Sequence, residues 1–456
     1  MNKIIKELDD IIFKCSQIRN IINWDIDFTS YKKDNNDKIQ ILNYIRNFKN
    51  CKIKALLSNN SIKFDSISQE EEIFLNEVKI DYIVNNNEPS LEKKMNEINI
   101  KLKKNYDKAV KENNLSILLN DFFKYVECYS QCFDKNELKG NTVYEKAFNC
   151  FYMNFDYLIF NDIISSNFNE LCKYKPLNVN DNKKISTINN RKILKELINI
   201  FKVEEDIISF HSDQFNSLDF FSKSDIRITL NYKTDNYNFI KGFLHEYGHA
   251  LYLINISNNI ELKCLQLPIS KEFDEGTAKF FEKFLENKYF VQYLEKKLNF
   301  KLYRNVNWLS RITSNDVDYL KNCIARVIIE EKLLNKKISS KEFEKAWLEI
   351  VQQLFPNISY EQSIKMLLSD PHWFYGQFMY YHSYIMSFIY TSNLCNLFDI
   401  IMKNDNILEE TYINKFKDIL RKIHYYGKTK NICDVLKNEY DYIIDYNIYV
   451  YDYYVN

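Results

Sequence analysis

The stretch whose reading decides the fold runs Asp225-Ile-Arg-Ile-Thr-Leu-Asn-Tyr232 and then, after a polar turn, Phe239-Ile-Lys-Gly-Phe-Leu-His-Glu-Tyr-Gly-His-Ala-Leu-Tyr252. The first part alternates apolar and polar residues at period two and predicts a strand. The second is apolar at helical spacing and predicts a helix from about Phe239 onward. His245 and His249 stand four apart, so a helix stacks both imidazoles on one face, as two ligands of a tetrahedral zinc require. Glu246 then lies beside the metal's open position, where a carboxylate can take a proton from an activated water. Only six histidines occur in the chain, which makes a chance His-Glu-x-x-His uncommon.

A third protein ligand is expected downstream. After Pro268 the run Ser270-Lys-Glu-Phe-Asp-Glu-Gly-Thr-Ala-Lys-Phe-Phe-Glu282 reads as a second amphipathic helix carrying Glu272, Asp274, Glu275 and Glu282. Pattern alone does not choose among these acids. Phe273, Phe280, Phe281 and Phe284 mark the apolar face and Glu275 lies near its edge, so spacing admits Glu275 without excluding the others, with Asp274 or Glu282 as partners that orient a histidine. Gly276 is expected to let the two helices approach closely.

Outward from this core, apolar residues recur every three or four positions through most of the chain, as at Leu115, Leu118, Phe122, Tyr125, Val126 and Tyr129. Breaks fall at 85–90, 175–190 and around Pro268, Pro356 and Pro371. The low counts of six Gly and five Pro among 456 residues suggest helix, but Ala is scarce too and Asn abundant, which an A+T-rich codon bias explains. Helix content therefore rests on periodicity.

Acidic and basic residues balance at 62 each, so no global field favours nucleic acid or anionic membrane. No apolar run is long enough to span a bilayer. The opening MNKIIKELDDIIFKC places acids where a signal peptide needs an apolar core. The ten scattered cysteines read as reduced thiols, and a cytoplasmic location is expected.

The motifs carry a resemblance. HEYGHALY at 245–252, with DIRITLNY before it and DEGTAKFFE after it, resembles the carboxypeptidase Taq family of zinc metallocarboxypeptidases, gluzincins related to the thimet oligopeptidase and neurolysin family. In that family the third ligand is a Glu 26 residues beyond the second histidine, and His249 to Glu275 spans 26. The family's Asp-x-Arg-x-Thr motif stands as Asp225, Arg227 and Thr229. Its Asp-x-His-Trp motif stands as Asp370, His372 and Trp373, followed by Gly376. Ala346-Trp347 and the turn from Ile423-His424 to Gly427 correspond as well. Substrate-side motifs have drifted: Leu218-Asp-Phe220 replaces His-Pro-Phe, and Arg311 survives from an Ile-Arg-x-x-Ala-Asp motif in which Ser314 and Asn315 replace the Ala-Asp pair.

The resemblance implies a mainly α, neurolysin-like gluzincin fold with a deep substrate cleft and a small β-sheet beside the His-Glu-x-x-His helix. It implies one metallopeptidase domain over 1–456, in which helical residues 1–175 form one cleft wall and 190–456 the catalytic part. It implies Zn²⁺, or Co²⁺, on His245, His249 and Glu275. Glu246 would be the general base, His372, Tyr381 and Tyr384 donors to substrate or oxyanion, and Arg227, Arg311 or Arg326 a clamp on the substrate's C-terminal carboxylate. The implied activity is removal of C-terminal amino acids from peptides by a homodimer. An oligopeptidase cutting internal bonds, and an inactive metal-binding scaffold, are the alternatives. His211 and His424 read as ordinary packed or surface residues, and His382 carries no assignment.

Overall fold

The residues Leu118, Phe122, Tyr125, Val126 and Tyr129 all lie on the buried face of the helix Ser116–Phe133, as their spacing predicts. This holds along most of the chain: in the computed structural model it is mainly helical, with one small sheet. The structure describes all residues except 1, 30–35, 58–66, 86–88, 154, 174–187, 214–215, 303–307, 403–409 and 447–456, and leaves out the side chains of some helical residues beside them, 308–315 included. Part of the 175–190 break and the end of the tyrosine-rich stretch 440–456 therefore lie outside the described residues. All ten cysteines are free. Among the described residues no helix is long and apolar enough to cross a membrane.

Before residue 175 the elements are helices: Lys3–Thr29, Asn36–Leu57, Gln69–Asn85, Pro89–Glu112, Ser116–Phe133, Val143–Phe151 and Tyr157–Lys173. Pro89 opens its helix, where its missing N–H costs nothing. Pro268, Pro356 and Pro371 fall between helices, as expected. The chain divides into two compact units interleaved in sequence. One comprises Met1–Val78, Asn180–Leu309 and Ser387–Ile448, the other Lys79–Val179, Ser310–Met386 and Tyr449–Asn456. Residues 1–175 are thus shared between the two.

The first unit holds the sheet, β1 (Ile208–Ser212), β2 (Ser217–Ser222) and β3 (Asp225–Leu230), in the order β1-β3-β2. β3 is central, parallel to β1 and antiparallel to β2. It corresponds to the predicted strand, with Ile226, Ile228 and Leu230 fully buried. Asp235 then caps the histidine helix Asn236–Asn255, its side chain accepting from Asn238 N at 3.0 Å. This helix is apolar on nearly every side, with Phe239, Ile240, Phe243, Leu244, Tyr247, Ala250 and Leu251 buried, so its polar residues stand out against a core setting.

Ser270 caps the following acid-bearing helix, Lys271–Glu282. Tyr252 ties the two helices together, its hydroxyl accepting from Ile269 N at 3.1 Å just before that cap. Their close contact is made at Gly248, where a Cβ would stand 2.8 Å from Ala278 Cα. The expectation for Gly276 is corrected here. That glycine faces the helix Tyr380–Met402, with Tyr390 Cβ 2.7 Å from where its own Cβ would be. Gly276 sits one residue past Glu275, about 100° further around the helix, and so faces a different neighbour.

The second unit is built on a cluster of aromatic rings in which Phe122 touches Phe343, Trp373, Phe374 and Phe378, with ring centroids 5.3–6.2 Å apart. A capping box of Ser359 and Gln362 starts the helix Tyr360–Leu368. The Trp347 indole donates to Ser363 O at 2.9 Å and ties that helix to Phe343–Leu354.

Candidate metal centre

His245 and His249 lie one turn apart on the histidine helix, with ring centroids 4.9 Å apart and their Nε2 atoms 3.3 Å apart. Glu275 enters from the acid-bearing helix, its Oε2 3.6 Å from His245 Nε2 and 3.9 Å from His249 Nε2. That oxygen is buried and accepts no hydrogen bond among the described residues. A point equidistant from these three atoms lies about 2.1 Å from each, the length of a zinc–nitrogen or zinc–oxygen bond. His245, His249 and Glu275 thus form a donor set of the right elements at the right spacing for a divalent ion.

Both rings are turned toward that point from behind. His245 Nδ1 lies 2.7 Å from Glu282 Oε1, and Glu282 Oε2 meets Lys241 Nζ at 3.1 Å. His249 Nδ1 lies 2.8 Å from Asp274 Oδ1. A proton held on each Nδ1 leaves the Nε2 lone pair facing the shared point. Both acids that sequence offered as orienting partners are thus engaged, one per histidine. Lys241 was missed. Its position one turn before His245 on the same face was the available signal.

Charge makes the same demand. Glu246, Asp274, Glu275 and Glu282 converge on a largely buried space. Burial opposes ionisation of Glu282, but Lys241, the His245 hydrogen bond and Lys279 outweigh it and hold the carboxyl well below the usual range. Burial also opposes a charge on His249, yet Asp274, Glu275 and Glu246 outweigh it and raise the imidazole to about 10. The surroundings therefore favour positive charge where an ion would sit. Glu246 is only 7% exposed, and burial raises its carboxyl above the ordinary value despite the opposing pull of the two histidines.

If the carboxylates behind the two rings orient the ligands, Asp274→Asn and Glu282→Gln should each weaken divalent-metal affinity by about 10- to 100-fold. Competition with a chromophoric chelator measures this. Unchanged affinity in both variants would leave the two acids without that role.

The other predicted residues are placed less uniformly. Arg227 lies on β3, clamped by Asp225 at 2.9–3.0 Å through two bonds and stacked 4.3 Å from the Phe221 ring. The side chain of Arg311 lies outside the described residues. Arg326 is fully buried, donating to Met366 O and Leu367 O, so its expected contact with a substrate carboxylate is corrected: nothing dissolved in water reaches it. Tyr381 is corrected likewise. It is fully buried against Trp373 and Arg326, which removes it as a donor to a bound peptide.

His372 and Tyr384 are half-buried, with ring centroids 6.2 Å apart, and His372 pairs through Nδ1 with Asp370. His382 is a core residue bonded to the Tyr144 hydroxyl at 2.6 Å, and burial lowers it to about 3. His424 is buried too, stacked 3.9 Å from Tyr252. His211 sits half-buried on β1 beside Ser209.

Comparison with known proteins gives the family and the fold. The sequence profile described as carboxypeptidase Taq (M32) metallopeptidase matches residues 4–452. Carboxypeptidase 1 of Bacillus subtilis is 26% identical over 251 residues, and the alignment spans 49% of this chain and 50% of that protein. The chain thus spans about half the length of this curated relative. Among solved structures, Trypanosoma cruzi metallocarboxypeptidase 1 superposes with a TM-score of 0.84 at 15% identity, covering 100% of both chains. A Pyrococcus furiosus carboxypeptidase gives 0.79 at 15% identity, covering 99% of this chain and 98% of the other. At such identity these likenesses show the fold. With the profile match running almost the whole length, the chain belongs to the carboxypeptidase Taq (M32) metallopeptidase family.

Proposed function

We propose that this protein is a zinc-dependent metallocarboxypeptidase that removes C-terminal amino acids from peptides. The observation that carries this is the convergence of His245, His249 and Glu275 beside the buried Glu246. A divalent ion there, Zn²⁺ or Co²⁺, supplies Lewis acidity to a water and to the scissile carbonyl. Glu246 takes a proton from the attacking water and later delivers it to the leaving amine, for which a carboxyl raised by burial is suited. Glu282 and Asp274 keep the two imidazoles in register throughout. The donor roles of His372 and Tyr384 are carried by the Asp-x-His-Trp resemblance and by their partial exposure. By the same resemblance the enzyme is a homodimer, and its free cysteines fit a cytoplasmic location.

One observation favours a second reading, an oligopeptidase cutting internal bonds. Arg326 is buried and the guanidinium of Arg227 is engaged by Asp225 and Phe221, which leaves fewer groups ready to clamp a terminal carboxylate. A peptide and its C-terminally amidated twin separate the two. The carboxypeptidase reading expects the free acid to be cut at least about 100-fold faster, the worth of a buried charge-assisted pair. Equal cleavage of both peptides would select the oligopeptidase.

A further inference from the structure

The segment between the helices Tyr360–Leu368 and Tyr380–Met402 leaves regular helix and turns on a few backbone bonds of its own, such as Tyr375 N to Pro371 O at 2.9 Å and Gln377 N to His372 O at 2.8 Å. It passes through one 3-10 turn, Trp373–Tyr375, and then takes two left-handed residues, Gly376 (φ 79°) and the non-glycine Met379 (φ 60°). A side chain in that region costs on the order of 1 kcal/mol or more. This segment carries His372 near its start and leads into the helix that bears Tyr384.

Two charged residues one turn apart on the helix Trp308–Leu334 hold it from both sides. Downstream of His372, Glu330 accepts the Trp373 indole N–H on Oε2 at 2.6 Å and the Met379 N–H on Oε1 at 2.5 Å, so one carboxylate staples both ends of the turn. Upstream of His372, Arg326 donates to Met366 O and Leu367 O at 3.0 Å each. Its guanidinium lies 4.9–5.5 Å from the rings of Trp347, Trp373 and Tyr381. Both residues are fully buried. Between these anchors Asp370 accepts from His372 N at 3.1 Å and pairs with His372 Nδ1. Burial opposes a charge on Asp370, but the His372 bond and Arg326 outweigh it and keep the carboxyl well below the usual range.

Burial pushes the Glu330 carboxyl up to about 7 against the pull of the Trp373 and Met379 N–H groups and Arg326. A buried guanidinium and a buried carboxyl are costly, and a hydrophobic pair would serve stability as well. What these two polar side chains supply is direction. We propose that Arg326 and Glu330 are positioning residues that fix the orientation of His372 through the segment 366–379. This rests on the donor role given to His372 above. It also gives Arg326 a place in the site's function that its burial denies it as a substrate contact.

Glu330→Gln is the primary test. The amide has the same shape but can accept only one of the two N–H groups. The expected result is faster hydrogen exchange of the Trp373 indole N–H and the Met379 amide, by about tenfold or more. With the fastest-cut member of a set of N-acylated tripeptides bearing a free C-terminus, kcat should fall about 10- to 100-fold, the scale of a misplaced catalytic group. KM should stay within about threefold, and bound metal should be unchanged, because only His372 is disturbed. Arg326→Lys, which keeps the charge and loses the paired bonds, should lower kcat in the same way.

Trp373→Phe removes the donor that the amide leaves unmet. In that background Glu330→Gln should cost less than about threefold more, a non-additivity expected of groups that act through one contact. Should Glu330→Gln fail to fold, Trp373→Phe alone carries the exchange measurement. Unchanged exchange, additive losses, or a loss confined to KM or metal content would overturn the proposal. A wild-type enzyme that cuts no peptide would instead sink the functional reading, while exchange would still decide whether these residues hold the His372 segment.

Discussion

Replacing Glu246 by Gln is expected to lower kcat by about 10³-fold, within the 10²–10⁴ range of general acid–base catalysis, or about 4 kcal/mol of barrier. The amide fills the same space, so the helix and its histidines should stay in place. What it lacks is a site for the proton. Glu246 sits next to His245 in sequence and is buried with the ligands, in surroundings that raise its carboxyl above the ordinary value. A carboxylate in water is a poor base near neutral pH, and desolvation makes it a better one. The loss should therefore appear in kcat, with bound metal unchanged. Steady-state kinetics on metal-quantified protein checks this, and wild-type turnover by the variant would contradict the mechanism.

Glu275→Ala is expected to weaken metal binding by more than about 100-fold, since losing an outer partner of a ligand already costs 10- to 100-fold. Three donor atoms face one point, and Glu275 Oε2 has no hydrogen bond to fall back on among the described residues. The variant should also lose the rise in Tm that metal gives the wild type, about 2.7 kcal/mol of stabilisation at a hundredfold excess over Kd. Glu272→Ala is the control. Glu272 is a buried acid on the same helix, 2% exposed, and outside the ligand set, so its loss should leave metal-dependent stabilisation intact. Scanning calorimetry with and without Zn²⁺ distinguishes them. Equal behaviour of the two variants would mean the third ligand has been misidentified.

The helical character, the central strand and the ligand helix were legible because each depends on local period: 3.6 through Leu115–Tyr129, two through Asp225–Leu230, and four between His245 and His249. β1 and β2 carry only weak alternation, as in Ile208-Ser-Phe-His-Ser212, and their pairing with β3 is set by tertiary contact. Which glycine lets two helices meet depends on which faces turn toward each other, and that is why Gly248 rather than Gly276 makes the contact. The choice among Glu272, Asp274, Glu275 and Glu282 was open in the residues alone, because a pattern shows a face but not the point at which two helices converge.

Arg326 was misplaced for a related reason. Proximity to a motif suggested substrate contact, while its immediate neighbours told another story. Cys323-Ile-Ala-Arg-Val-Ile-Ile329 is apolar on both sides of the arginine, the setting of a core position. Sequence shows that a charge is unusual there, and only the fold shows that its partners are backbone carbonyls, the Asn322 side chain and aromatic rings.

The most direct test is mass spectrometry of a defined peptide mixture digested by the purified protein, with and without a chelator and after Zn²⁺ is restored. The expected result is a ladder of single-residue losses from free C-termini that stops with the chelator and returns with zinc. Internal cleavage, or a ladder that persists at full rate when the metal has been removed, would contradict a metallocarboxypeptidase built on His245, His249, Glu275 and Glu246.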